Sequence, residues 1–221
     1  MPATLQPPLP DHEPRNLLHG ISWETYERML AEISQQPGLR MTYDGGSLEI
    51  MTTSSAHEIL KKLMARLVEM LCFELAIPHK SGGSFTHKRE DLLKGIEPDE
   101  CYWIQNEPAV RGKPSIDLSV DPPPDLALEV DITRSWLDRI AIYAALRIPE
   151  IWCFDGHSLR IHLLQSSGEY AESDRSAAFP FLPTTEFARF LQFDERADEL
   201  TQLRMFVDWL REQNFPTAAG G

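Results

Sequence analysis

The chain has 221 residues, with 34 acidic against 21 basic ones and a formal net charge of −13. That length allows one domain to bury a large apolar core, and the acidity counts against a non-specific nucleic-acid binder, which presents a basic face. The three cysteines, Cys72, Cys101 and Cys153, form no CxxC pair. They argue against a disulfide framework or cysteine-ligated zinc and imply a reducing cytoplasm; no apolar run reaches the length of about 18 residues that a membrane span needs.

Residues 1–20 read as a disordered or extended lead-in, proline-rich and without the apolar segment of a signal peptide. Trp23, Tyr26, Leu30 and Ile33 recur at helical spacing behind Ser22, and Pro37-Gly38 ends that helix. Leu39–Tyr43 and Leu48–Met51, split by Asp44-Gly45-Gly46, read as a hairpin. Ser55 and Glu58 have the spacing of a capping box ahead of Leu60, Leu63, Met64, Leu67, Val68 and Leu71, a helix that stops before Pro78. Ser84–Glu90 and Cys101–Ile104 read as strands around a loop containing Gly95. A strand over Asp125–Ile132 follows three prolines, then a helix from Trp136 to Leu146, a hairpin of Ile151–Phe154 and Leu159–Gln165, and helices near Thr185–Leu191 and Ala197–Gln213. The pattern predicts a mixed α/β domain with one main sheet. The domain occupies residues 21–193, with a C-terminal helix and flexible tail over 194–221.

Strand 125–132 carries the chemistry. Leu126, Leu128, Val130 and Ile132 alternate with Asp125, Ala127, Glu129 and Asp131, so one face is acidic and must be wet or hold a cation. Glu129 and Asp131 project side by side, roughly 7 Å apart along the strand. If the strand beginning at Pro98-Asp99 is its neighbour, Asp99 converges with Glu129 at an inter-strand spacing of about 4.8 Å. One or two carboxylates completed by water and substrate phosphate suit Mg²⁺. Asp125, roughly 13 Å from Glu129 along the strand, is too far away to share that ion. The alternative is a solvated acidic face.

Five segments occur in order: D-G-G-S-L-E-I-M (44–51), S-S-A-H-E (54–58), E-P-D-E-C-Y-W-I (97–104), P-P-D-L-A-L-E-V (123–130) and D-R-I-A-I-Y-A-A-L-R-I-P-E-I-W (138–152). In these the chain resembles the Uma-two family of bacterial proteins, assigned to the PD-(D/E)XK endonuclease-like superfamily. The resemblance implies a restriction-endonuclease-like α/β core, a mixed sheet flanked by helices with added hairpins. It further implies a Mg²⁺- or Mn²⁺-dependent nuclease acting on nucleic acid, DNA first, with Asp99 and Glu129 as metal ligands and the Val130 carbonyl as a further one. Where the superfamily has a lysine two residues after the glutamate, this chain has Asp131, which adds a carboxylate to the metal set. Relatives often carry a basic residue on the next helix instead, here Arg139, four before Tyr143. Arginine cannot act as a base, but it can hold a phosphate or stabilise the transition state. Its alternative is a salt bridge to Asp131 or Glu129.

The resemblance also places a histidine at His57, which tilts toward the core side of its helix; a hydrogen-bonded core histidine is the alternative. Glu58 is explained by its capping box, Tyr143 by helix packing and Asp125 by shaping the turn after the prolines. Lys61, Lys62, Arg66, Lys88, Arg89 and Lys94 are the candidates for a positive groove. The competing expectation is a catalytically inactive, dimeric binding or scaffold protein that keeps the fold, supported by the missing lysine and the overall acidity. The C-terminal helix, with Leu203, Phe206, Val207 and Leu210, is a candidate homodimer face unless it packs on its own domain.

Overall fold

The computed structural model describes residues 13–33, 36, 38–130, 135–192 and 198–216. The proline-rich lead-in up to residue 12, Pro37, Asp131, Ile132 and the 217–221 tail lie outside the described residues. Two sheets are present where the sequence pattern pointed to one.

The first sheet has the order β1-β3-β2-β6-β5 and is antiparallel throughout, built from β1 (Arg15–His19), β2 (Leu39–Asp44), β3 (Ser47–Thr52), β5 (His87–Arg89) and β6 (Lys94–Ile96). Gly45 and Gly46, at φ 52° and 97°, close the two-residue turn between β2 and β3, a conformation that residues with a Cβ adopt poorly. Helix α1 (Trp23–Ile33) lies on this sheet, where Tyr26, Met41, Tyr43 and Leu48 form one cluster. Gly95, expected in a loop, is a β6 residue: a Cβ there would stand 2.3 Å from the Tyr26 hydroxyl. The missing side chain lets α1 and β6 pack together. Strand β1 went unread because its five residues show no alternation of their own; pairing with β3 organises it.

The second sheet has the order β11-β10-β9-β8-β7-β4. Its strands are β4 (Lys80–Ser81), β7 (Glu100–Trp103), β8 (Leu126–Val130), β9 (Glu150–Phe154), β10 (Leu159–Leu164) and β11 (Tyr170–Ser173). Only β8 and β9 run parallel, with helix α4 (Arg139–Ala145) in the crossover between them. Short helices α3 (Glu107–Val110) and α5 (Thr184–Ala188) lie in the connections.

Both faces of β8 are covered, so the acidic face expected to be wet or to hold a cation is buried along the whole described strand. On one side Leu126, Leu128 and Val130 join Leu60, Leu67 and Leu71 of α2 (Ser55–Glu74) and Phe206 and Leu210 of α6 (Glu199–Glu212). On the other side Ala127, Ile151 and Cys153 meet Ile142, Tyr143 and Leu146 of α4, together with Ile96 of β6. Helix α4 is thus wedged between the two sheets. The stripe of α6 offered for dimerisation packs against its own domain. The three cysteines are buried and free, and among the described residues no helix is long and apolar enough to cross a membrane.

Phe206 is fully buried, so Phe206→Ala should cost about 3–5 kcal/mol in urea denaturation. A loss under about 1 kcal/mol, the range of surface changes, would place α6 outside the core.

Candidate active site

The site forms where the start of α2, the start of β7, the end of β8 and the first turn of α4 meet. Ser54, not Ser55, caps α2: its Oγ accepts from the His57 N–H at 3.1 Å. Glu58 consequently takes no part in a capping box; it accepts from Thr53 Oγ1 at 2.9 Å. The one-residue shift puts His57 at the third position of the first turn, with its ring turned into the protein and 1% exposed.

Antiparallel pairing of Glu100 with Leu128 puts Asp99 opposite Glu129 one step further along. Asp99 is 2% exposed and Glu129 3%. Asp99 Oδ1 lies 2.8 Å from His57 Nε2, and Oδ2 accepts from the Val130 N–H at 2.7 Å. Glu129 Oε1 accepts from both Arg139 Nη2 and the Tyr143 hydroxyl. The Arg139 guanidinium also donates to Thr42 Oγ1 at 2.7 Å and to the Glu97 carbonyl at 3.1 Å. It therefore ties β2 of the first sheet to β8 of the second. The guanidinium carbon stands 5.9 Å from the centre of the Tyr143 ring.

Each carboxylate is thus matched with a cation of the protein itself. Burial opposes charge on His57, but Asp99 and then Glu13 outweigh it and push the pKa up to about 10. Burial also opposes ionisation of Asp99, yet the imidazolium and the Val130 N–H hold that carboxyl below the ordinary range. Glu129 is held above its ordinary value by burial and by the charge of Asp99, with Arg139 and Tyr143 pulling the other way.

Asp99, Glu129, His57, Arg139 and the Val130 backbone come together; Asp131 lies outside the described residues. Asp125 is at a separate turn, where it accepts from the N–H groups of Ile104 at 2.7 Å and Asn106 at 2.8 Å. Lys88 pairs with Glu27 of α1 at 2.7 Å. Lys61, Arg66, Arg89 and Lys94 likewise each have a carboxylate partner, and Lys62 is exposed on α2.

Sequence reasoning missed three participants. Tyr143 follows Arg139 by four residues and so shares its helix face, a legible signal. Glu97 accepts from the Met41 N–H at 2.8 Å and from Thr86 Oγ1 at 2.9 Å; it sits inside a quoted motif but had no spacing argument. Glu13 reaches the His57 ring from outside every motif.

Hard carboxylate oxygens on neighbouring strands are the donor chemistry that Mg²⁺ and Mn²⁺ take. Among the described residues no group of three or more His, Cys, Asp or Glu side chains is arranged to hold a metal.

Removing one partner of a buried pair leaves an uncompensated charge, so Arg139→Met should lower stability by about 3–5 kcal/mol, with much of it recovered when Glu129→Gln is added. The His57 pKa lies above its unfolded value of about 6.5. The pair's stabilisation is therefore complete below about pH 6.5 and lost as pH rises toward 10. The lowered Asp99 pKa removes it again on the acid side. The stability gap between wild type and His57→Gln should accordingly be widest near pH 5–6 and narrow toward pH 10 in chemical denaturation series; a gap that widens with pH would contradict the charged pair.

The family model described as "Uma2: Putative restriction endonuclease" matches residues 23–192. No curated protein matches the chain. A solved structure described as a putative nuclease belonging to DUF820, from Anabaena variabilis ATCC 29413, is 14% identical with a TM-score of 0.46, over 77% of this chain and 90% of that one. Restriction-endonuclease-like families generally use divalent metal ions. With the family model spanning most of its length, the chain belongs to the Uma2 family of restriction-endonuclease-like proteins.

Proposed function

We propose that the protein is a divalent-metal-dependent nuclease that hydrolyses phosphodiester bonds, with DNA as the first substrate to test. The observation that carries this reading is the side-by-side placement of Asp99 and Glu129 at the ends of neighbouring strands, in a chain of this family. Asp99, Glu129 and the Val130 carbonyl would hold Mg²⁺ or Mn²⁺, with Asp131 contributing from beyond the described strand. Bound there, the ion would supply Lewis acidity to a phosphoryl oxygen and to a water.

The chain's own residues orient that arrangement. His57 and the Val130 N–H fix both oxygens of Asp99. Arg139 and Tyr143 fix Glu129 and offset the repulsion between two adjacent carboxylates. Arg139 is always protonated, so it supplies positive charge near the phosphate and takes up no proton. The free, buried cysteines fit a reducing cytoplasm. The two-stranded symmetry of a duplex substrate favours a homodimer, which sedimentation velocity would show.

A second reading, a catalytically inactive binding or scaffold protein, is favoured by one observation. The protein already pairs both carboxylates with its own cations, and five of the six candidate groove residues are spent on carboxylates. A cleavage panel on single-stranded and duplex DNA and RNA separates the readings. Wild type should cut with Mg²⁺ or Mn²⁺ and not with EDTA. Asp99→Ala should lose at least about 100-fold, the scale on which active-site electrostatic groups act. Equal rates for wild type and Asp99→Ala, or no cutting by either, would favour the second reading.

A further inference from the structure

Upstream of the family region, the N-terminal segment supplies two charged side chains to a buried chain of alternating sign. Glu49 Oε1 accepts from Arg15 Nη1 at 3.0 Å, and Arg15 Nη2 lies 3.8 Å from Glu13 Oε2. Glu13 Oε1 lies 3.3 Å from His57 Nδ1, and His57 Nε2 lies 2.8 Å from Asp99 Oδ1. The five side chains are between 1% and 8% exposed. The chain is anchored at its Glu49 end and at its middle. Glu49 also accepts from Ser135 Oγ at 2.9 Å and the Trp136 N–H at 2.6 Å. Glu13 Oε1 accepts from the Ser54 N–H at 2.9 Å, at the cap of the helix that carries His57.

His57 Nδ1 has no partner at full hydrogen-bond geometry; the Glu13 Oε1 oxygen faces it at 3.3 Å. A ring bonded firmly at Nε2 and free at Nδ1 can pivot about the Asp99 contact, and a carboxylate on the Nδ1 side resists that. The same logic holds where a carboxylate on the far ring nitrogen fixes the orientation of a functional imidazole. Pairing of β1 with β3 pins the segment that carries Arg15, and Thr52 donates its N–H to the Pro14 carbonyl at 3.0 Å. Glu13 is therefore held by regular structure and is not a loose end.

We propose that Glu13 is a positioning residue of the site. It clamps the His57 ring from its Nδ1 side, so that Nε2 keeps the Asp99 carboxylate facing Glu129. This rests on the reading of Asp99 as a catalytic ligand. It extends the site to a residue that lies before the family region, on a segment that reads in sequence as a lead-in.

The test uses the full-length chain with Glu13→Ala and Glu13→Gln. Glutamine keeps a side-chain oxygen for the Ser54 N–H and the ring; alanine keeps neither. Glu13→Ala should lower kcat about tenfold, equivalent to about 1.4 kcal/mol, with KM unchanged within about twofold, a factor well under 1 kcal/mol. Glu13→Gln should restore most of the rate. Long-range ¹H–¹⁵N spectra of the His57 ring at pH 7 should shift or broaden in Glu13→Ala and return toward wild type in Glu13→Gln. Wild-type kcat and an unchanged ring spectrum in Glu13→Ala overturn the proposal. So does a rate loss that glutamine fails to rescue, or one matched by an equal loss of thermal stability in both variants. If wild type cleaves nothing, the nuclease reading fails, and the ring spectrum alone decides the positioning role.

Discussion

Two carboxylates side by side in an apolar interior set the constraint around which the rest of the molecule is arranged. Asp99 and Glu129 are buried at the ends of strands that also carry the two hydrophobic clusters. Neither can be charged there without a partner, and together they repel. The fold answers with His57 from α2 on one and Arg139 from α4 on the other. Each cation is delivered by a helix whose apolar residues pack against β8 or its neighbour, so packing and charge compensation are satisfied by the same elements. Arg139 reaches further, to Thr42 and the Glu97 carbonyl, and so makes the join between the two sheets depend on the pair. Burial of such a pair adds little net stability relative to apolar residues of similar volume.

The negative charge of the chain takes a different meaning in this light. Asp99 and Glu129 contribute nothing to the surface field, and Lys61, Arg66, Lys88, Arg89 and Lys94 are each consumed by an acidic neighbour. What remains outside is acidic. On the proposed reading, a polyanionic substrate would gain little from long-range attraction and would depend on short-range contacts and on a divalent ion at the carboxylates.

The helices and hairpins were legible because their signals are local. The stripe from Leu60 to Leu71, the Gly45-Gly46 turn and the Ile151–Gln165 hairpin each specify themselves. Asp99, Glu129 and Arg139 were legible through motif order. What was not legible depended on tertiary partners. Alternation on β8 says that two faces differ and cannot say that α4 covers the acidic one. Gly95 looks like a loop residue until Tyr26 occupies the space a Cβ would need. Strand β1 and Glu13 have no pattern of their own and are organised by β3 and by the α2 cap. Ser54 and Ser55 compete for one cap, and it is Ser54 whose hydroxyl accepts from the His57 N–H.

On the proposed function, the two carboxylates, freed from or shared with their protein cations, form a divalent-ion site. Calorimetric titration of Mn²⁺ into wild type and Glu129→Ala, followed by electron paramagnetic resonance of the bound ion, tests it most directly. The account predicts saturable Mn²⁺ binding by wild type that is lost in Glu129→Ala while the variant stays folded. Saturable binding of equal strength in both proteins, or none in wild type, would contradict it.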